Sequence, residues 1–235
     1  MSKGEKRMMR ARVAAVGALA AVLLLVGGCG TKADQSTPNA APTAGSPASA
    51  ASAPAAGTQA VSGTRYVVVA EQSKATYTVN EKFLNRQLPN DAVGSTSAFA
   101  GAVVVENGEI KPSKVTVDLR TLKSDESRRD QRIRSQGLES DKYPFAEFAI
   151  EQASAKIPAD GTEVSLKLSG TMKIHGTSKP FAFYAKVSLK GDTLVIHADQ
   201  SFDMNEFGIT PPSIAGMLTV NPGVKLHVDF TGKKS

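Results

Sequence analysis

The chain has 235 residues, with 28 Lys and Arg against 22 Asp and Glu, a formal charge of +6, three His, one Cys and no Trp. A single cysteine excludes an internal disulfide and a Cys-rich zinc site. Five of the bases (Lys3, Lys6, Arg7, Arg10, Arg12) and one acid, Glu5, fall in the first 28 residues; without them the balance is about +2, which excludes a general polyanion-binding field and bulk nucleic-acid recognition.

Met1 to Arg12 is a positive leader, and Val13 to Val26 is an apolar run of about 14 residues, short of the ~20 that a membrane-spanning helix needs. Val26-Gly27-Gly28-Cys29 follows. An apolar residue, two small ones and the only cysteine resemble the lipobox of bacterial lipoproteins, ahead of an ordinary signal peptide with an incidental thiol. The small residues admit the backbone to a peptidase cleft between Gly28 and Cys29. The thiol is the nucleophile that accepts a diacylglycerol group with its palmitate-type chains. Two acyl chains suffice for stable anchoring. The expectation is a protein held by lipid at the cell membrane, on its extracytoplasmic face. No Arg-Arg pair marks the leader, which favours the general secretory route.

Residues 29–63 carry the Cys and then a tract of Ala, Pro, Ser, Thr and Gly with Pro38, Pro42, Pro47 and Pro54. So few large apolar groups cannot offset the entropy of ordering, which predicts a disordered spacer. Ser and Thr near Pro permit O-glycosylation, but a plain linker is the simpler reading.

Residues 64–235 are enough for one core and form the predicted domain. Their signal is period two. Strands are predicted over Arg65–Ala70, Lys74–Phe83, Thr96–Glu106, Ser113–Leu122, Phe145–Gln152, Thr162–Ile174, Lys179–Lys190, Thr193–Phe202 and Leu218–Phe230. Turn residues separate them at Asn107-Gly108, Asp160-Gly161, His175-Gly176 and Gly191-Asp192. One apolar and one solvated face per strand indicates antiparallel pairing. The fold class is therefore all-β: a closed up-and-down barrel, or failing that a sandwich. Ser124 to Gly137 breaks the alternation. It opens with acids, carries bases later and ends at a glycine, the order of a short polar helix lying as a lid or plug between strands.

Three blocks together resemble the YceI-like family of lipid-binding periplasmic and secreted proteins. They are Arg129-Asp130 with Ile133, Ser135, Leu138 and Lys142-Tyr143-Pro144 before Phe148; Gly170 to Pro180; and Phe202 to Ile209. The resemblance spans Thr64 to Phe230. It implies an eight-stranded, lipocalin-like antiparallel barrel whose lumen holds a long isoprenoid or similar amphiphile, and no resident cofactor. The chain departs from the family pattern at Arg132, where a His is usual, and at Asn205-Glu206 ahead of Phe207-Gly208.

The candidate ligand site is the inward face: Tyr77, Val79, Phe99, Val103, Val115, Val117, Leu119, Phe148, Ile150, Leu166, Leu168, Phe181, Phe183, Leu194, Ile196, Leu226 and Val228. An eight-stranded barrel either fills with side chains or holds one ligand. Alternation alone favours the filled core, and the resemblance favours the cavity. Arg120, Arg128, Arg129 and Arg132 are candidate donors to a head group, set against a solvated helix face partnered by Asp125, Glu126 and Asp130. On strand parity His197 and His227 point outward and His175 lies in a turn, so no metal site is expected. Ser213 has no matched base. Neither a nucleophile elbow nor a phosphate-binding loop is present, so an enzyme is not expected.

The leading expectation is a membrane-anchored protein that binds an apolar, polyisoprenoid-like lipid in a barrel lumen for carriage, sequestration or presentation. The alternative is an extracytoplasmic interaction or scaffold module that uses its loops and the Arg-bearing helix. The residues do not specify the oligomeric state.

Overall fold

Alternating side chains drive Thr64 onward into β-strands, each with one face toward a shared interior. The computed structural model describes residues 62–85, 90–215 and 217–235. The leader, Gly28, Cys29 and the linker up to residue 61 lie outside the described residues.

Among the described residues, twelve strands join in one antiparallel sheet: β1 (Thr64–Val68), β2 (Lys74–Phe83), β3 (Asn90–Thr96), β4 (Phe99–Glu106), β5 (Glu109–Asp118), β6 (Lys123–Ser124), β7 (Phe145–Ala153), β8 (Val164–Ile174), β9 (Thr177–Lys190), β10 (Thr193–Asp203), β11 (Ser213–Ile214) and β12 (Leu218–Lys234). Three pairs are halves of single bent staves: β1 with β2, β3 with β4, and β5 with β6. The long β12 pairs with β1 through Tyr66↔Lys234 and with β2 through Tyr77↔Leu226, while β10 runs along its other edge. The result is a closed barrel of eight antiparallel staves with one short helix. Closure removes the free edges that a sandwich would retain.

The bends have local causes. Ser73, almost fully buried, donates from Oγ to the Val69 carbonyl (2.8 Å) and accepts from Thr231 N (3.1 Å), tying the first bend to β12. Thr96 Oγ1 lies 2.6 Å from Thr121 Oγ1 and accepts from Ala98 N at 3.0 Å, holding the second. β5 starts at Glu109, earlier than the predicted Ser113, because Pro112 falls in a register shift opposite Val103. There Ser113 Oγ accepts from Val104 N (2.9 Å) in place of a backbone partner.

The polar segment is shorter than expected as a helix: α1 covers Ser127–Arg132 and continues as a wider π-type turn over Ile133–Gly137. Asp130 anchors it, accepting from Ser124 N (2.8 Å) and Ser124 Oγ (2.7 Å). The His175-Gly176 link between β8 and β9 is a two-residue hairpin with φ of 51° and 75°. A Cβ added at Gly176 would come within 2.8 Å of the Tyr143 ring.

Candidate functional site

Leu166, Val187, Leu189, Leu194, Val105, Ile110 and Ile157 are all buried and pack the barrel toward the end that carries the Asn107-Gly108 and Gly191-Asp192 turns. The rest of the interior is not filled. A cavity of about 550 Å³ lies among β2, β4, β5, β7, β8, β9, β10 and β12 and extends to the end covered by α1 and by Ile209, Pro212, Ile214, Met217 and Leu218. That volume falls within the roughly 300–1,000 Å³ usual for small-molecule sites.

All the inward residues predicted from alternation line this cavity except Leu166, Phe181 and Leu194. Leu166 and Leu194 belong to the packed floor, since parity sets the side of a strand but not the height along the barrel. Phe181 meets Phe148, Phe183, Phe202 and Phe207 edge-on, at centroid distances of 6.4, 5.1, 5.8 and 6.3 Å, and so supports the wall from behind. The filled interior that alternation alone favours is thus confined to one end.

The wall also contains residues outside the candidate set, among them Met172 and Ile174, which alternation puts on the same face of the strand as Leu166 and Leu168. Met172 and Ile174 continue β8 toward the mouth, and Phe202, Met204 and Ile209 enter from the end of β10 and the turn after it. Pro212, Ile214 and Met217 come from the Pro-rich loop, which rims the mouth; Ser213 does not face the cavity. From the helical segment, Ile133 and Leu138 supply its only large apolar side chains.

The polar groups gather on the helix side. Glu81, 4% exposed, faces into the barrel and pairs with Arg129: Nη2 lies 3.0 Å from Oε2, and Nε donates to Oε1 at 3.2 Å. Arg129 also bridges to Asp125 and donates to Ser124 Oγ at 3.3 Å. Burial works against the charged guanidinium, but the carboxylates of Glu81 and Asp125 outweigh it and hold its pKa above the usual value. Arg129 is therefore neutralised in place. Arg128 and Arg132 line the cavity at its exposed mouth, beside Glu126, and neither has an ion-pair partner among the described residues. Arg120 is elsewhere. Its guanidinium is held on Asp118 by bonds of 3.0 and 2.7 Å and lies over the Phe145 ring at 5.4 Å. The predicted partnering of the arginines by Asp125, Glu126 and Asp130 is divided: Asp125 meets Arg129, Glu126 accepts from the Arg128 backbone, and Asp130 holds Ser124.

The histidines are apart from the cavity. His175 Nε2 contacts Glu139 Oε2 at 2.8 Å, and His197 and His227 meet Asp229 and Asp199 on the outer face of β10 and β12. No cluster of His, Cys, Asp and Glu able to hold a metal ion occurs among the described residues.

Comparison with known proteins places this geometry. The family model of the YceI-like domain matches residues 66–232. Among solved structures, Burkholderia cenocepacia BcnA is 14% identical with a TM-score of 0.54, the alignment covering 70% of this chain and 98% of that one. A polyisoprenoid-binding domain from Saccharophagus degradans, implicated in plant cell wall breakdown, is 12% identical with a TM-score of 0.57, covering 72% and 98%. At these identities the likeness is one of fold. No curated protein matches the chain.

Proposed function

Since this chain belongs to the YceI-like family, we propose that its barrel binds a long apolar lipid of polyisoprenoid type, held by a diacylglyceryl group on Cys29 at the extracytoplasmic face of the cell membrane. The observation that carries the reading is the unfilled interior: about 550 Å³ walled by aliphatic and aromatic side chains. A polyprenyl tail asks nothing of its site except exclusion of water, and each CH₂ it buries contributes about 0.8 kcal/mol. The polyisoprenoid-binding domain from Saccharophagus degradans, similar in fold, supports the choice of ligand class. Arg128 and Arg132, unpaired at the mouth, suit an anionic head group that stays in water while the tail is enclosed. Tethered on a spacer, such a protein carries, sequesters or presents lipid near the bilayer that holds it.

The test is to extract the purified protein with organic solvent and to compare its lipids with those bound under native mass spectrometry. Stoichiometric lipid on the folded protein is expected, and an empty barrel that takes up no added isoprenoid refutes the reading. Cys29→Ser is expected to move the protein from the membrane fraction to the soluble fraction or to leave it as an uncleaved precursor. Unchanged lipid modification and membrane residence would refute the anchor alone.

A further inference from the structure

Large apolar side chains are exposed at the rim of the cavity. Leu84, just past the end of β2, and Met217, just before β12, are 62% and 63% exposed. Leu84 N donates to the Met217 carbonyl at 3.0 Å, so the two residues form one edge of the opening. Met217 also lines the cavity, beside Ile214 and Pro212, which makes that edge continuous with the apolar interior. Scattered exposed apolar residues are ordinary, but a grouped pair at the lip of a binding cavity marks an interaction surface. Val93 on β3 and Tyr184 on β9 are exposed too, but they lie on strands that do not pair with each other. Arg128 and Arg132 stand on the same rim as Leu84 and Met217, exposed and without an ion-pair partner among the described residues.

Apolar side chains beside unpaired guanidiniums match one surface in particular, that of an anionic bilayer, where acyl chains lie directly beneath phosphate groups. We propose that the mouth of the barrel docks on such a surface. Leu84 and Met217 enter the acyl boundary while Arg128 and Arg132 meet phosphates, so that lipid passes between bilayer and cavity without crossing water. This inference rests on the lipid-site reading of the cavity, and it adds the surface through which that site loads and empties. The chain outside the barrel allows it. Thr64 opens β1 opposite Val105, at the packed floor, so a tether from Cys29 joins the barrel at the end away from the mouth. Residues 29–63 reach on the order of 100 Å when fully extended. The ten residues of β2 rise only about 33 Å. A barrel tethered at Cys29 can therefore turn its mouth to the same bilayer that holds it.

The chain contains no Trp, so a single Trp introduced by substitution reports its own surroundings. Leu84→Trp, Met217→Trp and, midway along the outer wall of β9, Tyr184→Trp are made in the full chain. All three replace exposed side chains, and thermal midpoints close to that of the wild type show that the fold is kept. Each is mixed with vesicles of phosphatidylcholine and phosphatidylglycerol brominated in their acyl chains. Emission from Leu84→Trp and Met217→Trp is expected to shift to the blue and to be quenched severalfold, while that from Tyr184→Trp is unchanged. Adding Arg128→Gln and Arg132→Gln to Leu84→Trp is expected to weaken its docking about tenfold. Unquenched emission at both mouth positions overturns the inference. So does equal quenching at Tyr184→Trp, which means adsorption without orientation, or equal quenching in vesicles of phosphatidylcholine alone. Native mass spectrometry of the same variants separates this failure from that of the lipid site. Bound lipid with unquenched mouth reporters overturns the docking surface alone, and a barrel that takes up no isoprenoid refutes the cargo whatever the reporters show.

Discussion

On the outer face of β10 and β12, His227 stands between two carboxylates, with Nδ1 2.7 Å from Asp199 and Nε2 3.1 Å from Asp229. His197 adds a third contact, Nδ1 to Asp229 at 2.6 Å. The hydrogen bond to Asp199 raises the pKa of His227 against a smaller opposing effect of burial. For Asp229 burial raises the pKa, and the bonds from His197 and His227 more than offset it, so it lies below the ordinary value. A raised imidazole stabilises the fold in full below its unfolded pKa of about 6.5, and that contribution is lost as pH climbs through the folded value. A depressed carboxylate contributes above about 3.9 and is lost as pH falls through its folded value. The ladder is therefore most stabilising between about pH 4 and 6.5. These groups are well exposed, so the expected size is about 0.2–1 kcal/mol. Thermal midpoints recorded from pH 5 to 9 should decline less steeply in His227→Gln than in the wild type, and parallel curves would refute the assignment. Strand parity made the outward direction of His197 and His227 legible in the sequence, but not what they meet. Their partners are cross-strand, because the His197↔Asp229 and Asp199↔His227 registers bring together residues about thirty positions apart.

Apart from the two-residue strands β6 and β11, β3 is the strand that sequence patterning missed, and Tyr77 explains why. Its inward positions are Ala92, Gly94 and Thr96, too small to give a hydrophobic signal, while Val93 faces out. They are small because the Tyr77 ring already occupies the space in front of Gly94, its partner in register. Large and small residues thus complement each other across two strands, a relation invisible to any window along one of them. Gly94→Ala should lower stability by about 1–3 kcal/mol through overpacking. Urea unfolding would measure this, and Tyr77→Leu in the same chain should recover part of the loss. A single-variant loss that Tyr77→Leu leaves untouched would place the strain elsewhere. The helical element was legible from its charge order, but its length was not. Asp130 is used to hold Ser124 and Arg129 to meet Glu81, so the arginines of one short segment divide between a buried pair and a free mouth.

For the molecule as a whole, the decisive quantity is the space that the eight staves leave over. Interiors normally pack without voids larger than a water molecule, so a void of about 550 Å³ in an otherwise dense barrel is a feature the chain keeps at a cost in stability. Ile196, 4% exposed and on the cavity wall, is a position from which a larger ring projects into that space. Ile196→Trp should reduce bound lipid severalfold in native mass spectrometry while shifting the thermal midpoint by only a few degrees, because the added atoms enter a void. A severe loss of stability with lipid content unchanged would show that the void does not extend there.

The alternation of apolar and polar residues determined by itself that the domain is antiparallel sheet, which side chains turn inward, and where most turns fall, since these depend on neighbours two residues apart. Three short blocks of residues further identified the family, because turn and anchor positions such as Gly176, Asp130 and Phe207 tolerate few alternatives. Tertiary structure alone decided that Leu166 and Leu194 close a floor while Val117 and Ile196 face a hollow, that Arg129 is neutralised by Glu81 while Arg128 and Arg132 are not, and that Tyr77 keeps a buried donor with no acceptor. The reason is geometric. Parity is a local property of one strand, whereas volume, ion pairing and satisfaction of a buried hydroxyl depend on which distant strands close the ring.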